Sequence, residues 1–294
     1  MKPLLLTDYG LCLKTKERRL VLLNQDSGER REWLPVEFPY DSIIVENLGG
    51  FVTFPALRWL ALNGVSLTAL DFNGRVLASY LPDWPLNPNA RLAQMAAYLN
   101  PASRLEVARF ILAAKLGKPV PATYRTWDDL LTYEGRQAEA YWRDLGITRD
   151  YPSARDPTNA CLNYSFGLLA SRARAAIHRL SLEPSIGFLH TPQSYKQALV
   201  YDCVEPFRAS TVKTALAVKQ ELNSRQFGEV YGHGLRLRPE GAHRLVESFA
   251  KAFPEKEMGR FVERLALRCA ALGRAAQSRQ EPRASGPTAP PLFA

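Results

Sequence analysis

Leu81-Pro-Asp-Trp-Pro-Leu-Asn-Pro-Asn89 divides this chain into two parts of different character. A stretch so rich in proline sustains neither a helix nor a central strand, so it reads as a linker. Upstream, Arg19 to Leu23 and Glu32 to Leu34 flank Asp26-Ser-Gly28, and Leu67 to Asp71 and Val76 to Tyr80 flank Asn73-Gly74, a dipeptide suited to a type I′ hairpin. One helix interrupts these strands: Thr53 can cap Pro55 to Leu62, which stops at Asn63-Gly64. Downstream the apolar period becomes helical, at about 91–100, 102–117, 126–145, 158–180, 195–205, 209–222 and 239–272, with Asp156-Pro157 supplying a cap and a first turn. The pattern predicts an α+β fold: a small N-terminal β-rich domain (1–82), a linker (83–90) and a larger all-α domain (91–273). Residues 274–294 are polar and proline-rich and read as a disordered tail.

With 46% apolar and 10% aromatic residues, the 294-residue chain has ample material for a packed core. The apolar run after Met1 is too short for a signal peptide, and charges interrupt every window before it reaches a membrane span, so a cytoplasmic location is expected. Cys12, Cys161, Cys203 and Cys269 are far apart, which suggests small core residues rather than a disulfide framework or a zinc knuckle. Charge is uneven. Residues 1–85 carry 9 Lys and Arg against 10 Asp and Glu, a net −1, whereas the remainder is +10 out of the total +9. A basic excess confined to one part suits a polyanion such as nucleic acid, and a merely solvated basic surface explains it equally well.

The motifs decide between these. Glu134 interrupts the apolar series Leu130, Leu131, Ala138, Tyr141, Trp142 and Leu145 at a helical position where a leucine would be expected, and a buried carboxylate needs a cation. For a lone glutamate the ordinary answer is a salt bridge. Here small residues, Gly135 and Ala138, follow on the next turn and leave room for a ligand. Ile186-Gly-Phe-Leu-His190 ends an apolar run in an imidazole. Leu199-Val-Tyr-Asp-Cys-Val-Glu-Pro-Phe-Arg208 then places Asp202 and Glu205 on one helical face among apolar neighbours. One imidazole with two or three carboxylates suits Mg2+ or Mn2+ with open coordination positions better than structural zinc.

Glu134-Gly-Arg-Gln-Ala-Glu-Ala-Tyr-Trp142, Arg155-Asp-Pro-Thr-Asn-Ala-Cys-Leu-Asn-Tyr164, Leu182-Glu-Pro-Ser-Ile-Gly-Phe-Leu-His190 and Leu199 to Arg208 resemble, in order, the signatures of the CRISPR-associated integrase, the catalytic subunit of the spacer-acquisition machinery. Two departures stand out: Ala209-Ser-Thr-Val-Lys213 where the family continues with proline and soon aspartate, and Leu-Gly-Lys-Pro119 after Lys115 where a motif with asparagine and glutamine is common. The resemblance implies a metal-dependent DNA integrase and endonuclease, with Glu134, His190 and Glu205 as ligands of Mg2+ or Mn2+ and Asp202 as a further catalytic acid. It also implies a homodimer, paired through the nearly neutral front domain, and a small ferredoxin-like companion subunit.

Double-stranded DNA with free 3′ ends and repeat DNA would be held by the basic half. Candidate phosphate contacts are Arg172, Arg174, Arg179, Arg208, Lys213, Lys219, Arg236, Arg238 and Arg244, and Tyr164, Tyr195 and Trp142 could stack on bases or equally pack in the core. Two other readings stay open: an integrase of related mobile elements, which would share every one of these residues, and a DNA-binding scaffold without catalysis.

Overall fold

Alternation along the first strands decides how the front of the molecule packs. The computed structural model describes residues 2–46, 49–71, 73–151, 153–194, 196–230, 234–253 and 255–280. It opens with β1 (Lys2–Leu6), β2 (Leu11–Lys16), β3 (Arg19–Asn24), β4 (Arg30–Trp33), β5 (Tyr40–Val45), β6 (Gly50–Val52), α1 (Phe54–Leu62), β7 (Ser66–Leu70) and β8 (Val76–Tyr80). These form two four-stranded sheets, ordered β1-β5-β7-β8 and β4-β3-β2-β6. Both expected hairpins are present, β3 with β4 and β7 with β8, but the second is not closed by a two-residue type I′ turn at Asn73-Gly74: the Gly74 N–H donates to the Asp71 carbonyl at 3.0 Å, and Asp71 pairs with Arg75. The helix between them is capped as expected, Thr53 Oγ1 accepting from the Ala56 N–H at 3.3 Å.

Successive side chains of a strand point to opposite faces. Leu4, Leu6 and Ile43 therefore meet Leu13, Leu20, Leu22 and Leu60 between the two sheets, while Leu5, Ile44 and Leu70 face the other way and join the helical core. Parallel pairing of β1, β5 and β7 fits this double burial, since both faces of that sheet are covered. The front domain is thus welded to the helices through its own core residues.

The helical part comprises α2 (Pro88–Leu99), α3 (Pro101–Leu116), α4 (Trp127–Asp144), α5 (Pro157–Arg179), α6 (Ala198–Val204), a 3₁₀ turn (Glu205–Phe207), α7 (Arg208–Glu221), β9 (Phe227–Val230), β10 (Gly234–Leu237), α8 (Pro239–Ala252) and α9 (Glu255–Gln280). The long central α5 starts as its sequence predicts, Asp156 Oδ1 accepting from the Asn159 N–H at 2.9 Å. It carries much of the core, Leu162, Leu168, Leu169, Ala173 and Ile177 being almost fully buried.

Three expectations change. The helical domain is not all-α, because β9 and β10 form an antiparallel hairpin laid against the residue two before Asp156, with Leu235 N–H donating to the Ala154 carbonyl at 2.7 Å. Strands of four residues are too short to announce themselves by period. Helix α9 runs on to Gln280, past the boundary expected at Gly273, and residues 281–294 of the expected tail lie outside those described. Leu145, counted in the apolar stripe of α4, is 38% exposed.

One junction is made by backbone alone. The turn between β7 and β8 rests on α5 so closely that a Cβ on Gly167 would lie 1.7 Å from the Gly74 carbonyl oxygen. Gly74 also adopts φ +77°, and a Cβ there would meet Tyr164 Cα at 2.4 Å. Only glycine fits either side.

Candidate metal centre

Glu134 lies in mid-α4, with Leu130 and Tyr133 buried beneath it and its own side chain 22% exposed. Its awaited cation comes from the last turn of α3. Lys115, whose side chain is 9% exposed, contacts Glu134 Oε1 and places Nζ 2.6 Å from Glu205 Oε2. The sequence asked for this partner without identifying it.

Glu205 opens the 3₁₀ turn that follows α6, where Pro206 limits continuation of the regular helix, and it is almost fully buried. Burial pushes its carboxyl up. The Arg208 guanidinium, 3.3 Å from Oε1, and the Lys115 ammonium outweigh that penalty and hold the group ionised below its ordinary range. His190 Nε2 stands 4.0 Å from the same Oε1.

Asp202 takes a different part from the one expected. It is fully buried, and both its oxygens are occupied: Oδ2 accepts from the Phe188 and Leu189 N–H groups at 2.5 and 3.1 Å, and Oδ1 accepts from the His190 N–H at 2.9 Å and lies 2.7 Å from His190 Nδ1. This carboxylate organises the loop that carries the histidine and fixes its ring. In the neutral ring, Asp202 favours the proton on Nδ1 and leaves the Nε2 lone pair outward. Burial lowers the His190 pKa, but the hydrogen bond and charge of Asp202, with Glu205 and Glu134 behind, raise it on balance.

The loop has little latitude. Gly187 must be glycine, because a Cβ there would lie 2.8 Å from the Ala198 backbone and 2.9 Å from Asp202 Oδ2. Trp127 Nε1 donates to the Phe188 carbonyl at 2.8 Å, tying the loop to the start of α4. Four separate elements thus converge on one point: α3, α4, the 186–190 loop and the α6 end.

A basic wall adjoins the centre, and sequence reasoning missed half of it. Arg149 donates to Asn159 Oδ1 at 2.5 Å and Asn163 Oδ1 at 2.8 Å, two asparagines one turn apart on α5. Burial, and then the charge of Arg208, push its pKa down to about 10. Arg149 and Arg208 both lie over the Phe166 ring, at 5.5 and 5.7 Å. A groove of 360 Å³ runs from Lys115 past Tyr141 and Trp142 to Arg208. A second cleft, of 480 Å³, lies between β8 and α5, lined by Arg75, Arg91, Arg174, His178 and Tyr201. The Tyr201 ring is 6.0 Å from that of His190.

The remaining candidates divide. Arg172 is a core residue, buried with its guanidinium over Phe249 and donating to the Phe253 carbonyl, so it is unavailable to phosphate. Tyr164 is likewise buried, its hydroxyl donating to Glu46 Oε2 at 2.7 Å, and cannot stack on a base. Burial raises Glu46 to about 7 despite that bond. Arg244 is engaged with Glu221, whereas Lys213 is exposed on α7. Lys219 and Arg236 are half-buried on α7 and β10, and Arg238 is exposed at the end of β10, its Nε donating to the Phe227 carbonyl at 3.0 Å. Tyr195 lies outside the described residues.

Fold and site together define an α+β protein whose helical domain gathers two carboxylates and an oriented imidazole beside a basic groove. The chain belongs to the family described as CRISPR associated protein Cas1, whose sequence profile matches residues 4–120 and 118–251. A CRISPR-associated endonuclease Cas1 of Thermus thermophilus is 30% identical over 92% of this chain and 96% of its own length, and one of Francisella tularensis subsp. novicida is 23% identical over 77% and 82%. Among solved structures, a casposase bound to integration product superposes with a TM-score of 0.83 at 24% identity over 92% of this chain and 91% of its own. A Cas1 protein from Thermotoga maritima gives 0.77 at 19% over 91% and 97%. The same fold occurs in a TtCas1–DNA complex, with a TM-score of 0.64 at 21% identity, covering 97% of this chain and 94% of that one. No described helix is long and apolar enough to cross a membrane.

Proposed function

We propose that this chain is a divalent-metal-dependent DNA integrase and endonuclease that joins the 3′-hydroxyl ends of short duplexes into a CRISPR array by transesterification. The observation that carries this reading is the Lys115 ammonium lying between Glu134 and Glu205, with His190 Nε2 4.0 Å from Glu205 Oε1 and Asp202 committed to aiming the ring. Two carboxylates and an imidazole are a donor set suited to a hard divalent ion, and Lys115 lies between the two carboxylates; among the described residues the three groups are not drawn together as a metal cluster. Mg2+ or Mn2+ held by Glu134, His190 and Glu205 would supply charge neutralisation at the phosphate and at the departing 3′-oxygen.

The chain's own residues prepare for this. Arg208 and Lys115 keep Glu205 ionised, so no proton must leave before a cation binds. Asp202 beside Nδ1 holds the ring with Nε2 turned outward, where it can serve as a ligand. Arg208, next to Glu205 and lining the groove, can orient a phosphate oxygen, with Trp142 as an apolar wall. The attacking group comes from DNA, so no covalent nucleophile is required of the protein.

Lys213, Lys219, Arg236 and Arg238 would add phosphate contacts and a steep salt dependence. Joining two strand ends needs two centres, and the exposed Phe51, Phe54 and Leu62 of the front domain support pairing of two copies there, flanking a small ferredoxin-like companion. The casposase neighbour favours a second reading, integration for a mobile element. Strand transfer tests both: purified protein, short duplexes with free 3′-hydroxyls that do or do not carry inverted-repeat ends, Mg2+ or Mn2+, and plasmids bearing either a CRISPR repeat or an unrelated target. Repeat-directed product that disappears in His190→Ala supports the first reading, and product only with inverted-repeat donor ends supports the second. Salt-sensitive binding without joining, with and without the companion subunit, would leave a scaffold.

A further inference from the structure

Lys115 stands at the meeting point of two groups assigned above to a divalent ion. Its ammonium contacts Glu134 Oε1 and lies 2.6 Å from Glu205 Oε2, and the side chain is 9% exposed. An ammonium and a metal ion cannot both take these oxygens at bonding distance without facing each other at close range. The charge count points the same way. Glu134 and Glu205 face Lys115 and Arg208, and Asp202 stands behind His190; a divalent ion added to these three carboxylates and two cations leaves an excess positive charge beside a neutral imidazole, and withdrawal of Lys115 restores balance.

The local structure gives the side chain somewhere to go. Lys115 is in the last turn of α3, and the helix stops two residues later at Gly117, with φ +64°. Its flexible stem also lines the 360 Å³ groove shared by Trp142 and Arg208. Lysine, a compact charge on four rotatable carbons, suits a group that changes position better than arginine with its planar fork.

We propose that Lys115 is the resident cation of this centre: its ammonium holds Glu134 and Glu205 together when no divalent ion is bound, and withdraws into the groove when one enters. The inference rests on the metal-site reading of Glu134, His190 and Glu205. It explains how two carboxylates stay assembled without metal, and it makes metal affinity the outcome of a competition inside the protein. A site blocked in about nine molecules of ten binds its ligand about tenfold more weakly than an open one. In the groove the displaced ammonium would face the substrate phosphate.

The test is direct Mn2+ binding to the full chain without DNA, read as free Mn2+ by electron paramagnetic resonance, together with melting temperature in chelator and in Mn2+. The proteins are wild type, Lys115→Met, Lys118→Met and His190→Ala. Lys118 is exposed and controls for the loss of one nearby charge. The expected result is Mn2+ binding at least about tenfold tighter in Lys115→Met than in wild type, no change in Lys118→Met, and weaker binding in His190→Ala. Lys115→Met should also melt lower in chelator and gain more from Mn2+. Should the methionine variant not fold, Lys115→Gln supplies the same readouts. Unchanged or weaker binding in Lys115→Met, with His190→Ala impaired, overturns the resident-cation inference alone. Equal tightening in Lys118→Met overturns it too, since a general field would then suffice. Binding indifferent to His190→Ala overturns the metal-site reading beneath it.

Discussion

Replacing Asp202 by asparagine isolates the part that this carboxylate plays. The side chain accepts from three backbone N–H groups and His190 Nδ1, two donors to each oxygen, in a fully buried position. Asparagine keeps the shape and one acceptor oxygen but turns an NH2 group towards the other two donors. Each buried donor left facing another costs about 1–3 kcal/mol, and hydrogen bonds to a charged acceptor are stronger than those to an amide. The loss should be about 4 kcal/mol, a large share of a typical stability of roughly 5–15 kcal/mol. At about 2–4 °C per kcal/mol, melting should fall by roughly 10 °C.

The assay is thermal and urea unfolding in chelator, with the His190 imidazole followed by NMR. Because Asp202 raises the His190 pKa, the stability it lends through the imidazolium is present at pH below the ordinary histidine value and is lost as pH rises through the raised one. Asp202→Asn should lower the His190 pKa and flatten that slope. A variant melting within about 2 °C of wild type, with the His190 titration unmoved, would refute the assignment of Asp202 as the organiser of the loop.

Other expectations follow from the same geometry. Glu134→Gln and His190→Ala should abolish strand transfer while duplex affinity, measured by filter binding at several salt concentrations, stays within about threefold of wild type; loss of binding with activity would make the centre structural. Gly167→Ala should destabilise by about 3 kcal/mol or more in urea unfolding, since its methyl would occupy the Gly74 carbonyl. Glu46, raised to about 7 by burial, takes up a proton on folding between its ordinary value and that figure, so stability should fall as pH rises from about 4.5 through 7. In Glu46→Gln that decline should flatten. Tyr164→Phe, which removes a bond that lowers the Glu46 pKa, should push the decline to higher pH, and an unchanged profile would count against the pair.

Local signals carried much of the architecture. The caps at Thr53 and Asp156, the chain reversal near Gly74 and the apolar period of α5 are set by neighbours a few residues apart, and the structure has them where the sequence places them. Asp202 and Glu205 were legible as a pair because three residues of helix bring them to one region, though not that one would be spent on the backbone. Features closed over long separations left no pattern. The Lys115 contact spans 19 residues and two helices, and Tyr164 meets Glu46 across 118 residues. Arg172 looked like any basic residue on α5, and only the packing of Phe249 and Phe253 shows that it belongs to the core. The β9–β10 hairpin closes its own ladder but is seated against Ala154, a partner distant in sequence.

The seat of Gly74 on Gly167 has a mechanical consequence. Backbone meeting backbone leaves no side chain to rotate and no layer to slide, so the outer sheets and the helical body turn together as one lever. Whatever grips the front strands therefore sets the compass bearing of the carboxylate–imidazole centre, and two copies joined there would hold their centres at a fixed spacing, like the points of a locked pair of dividers.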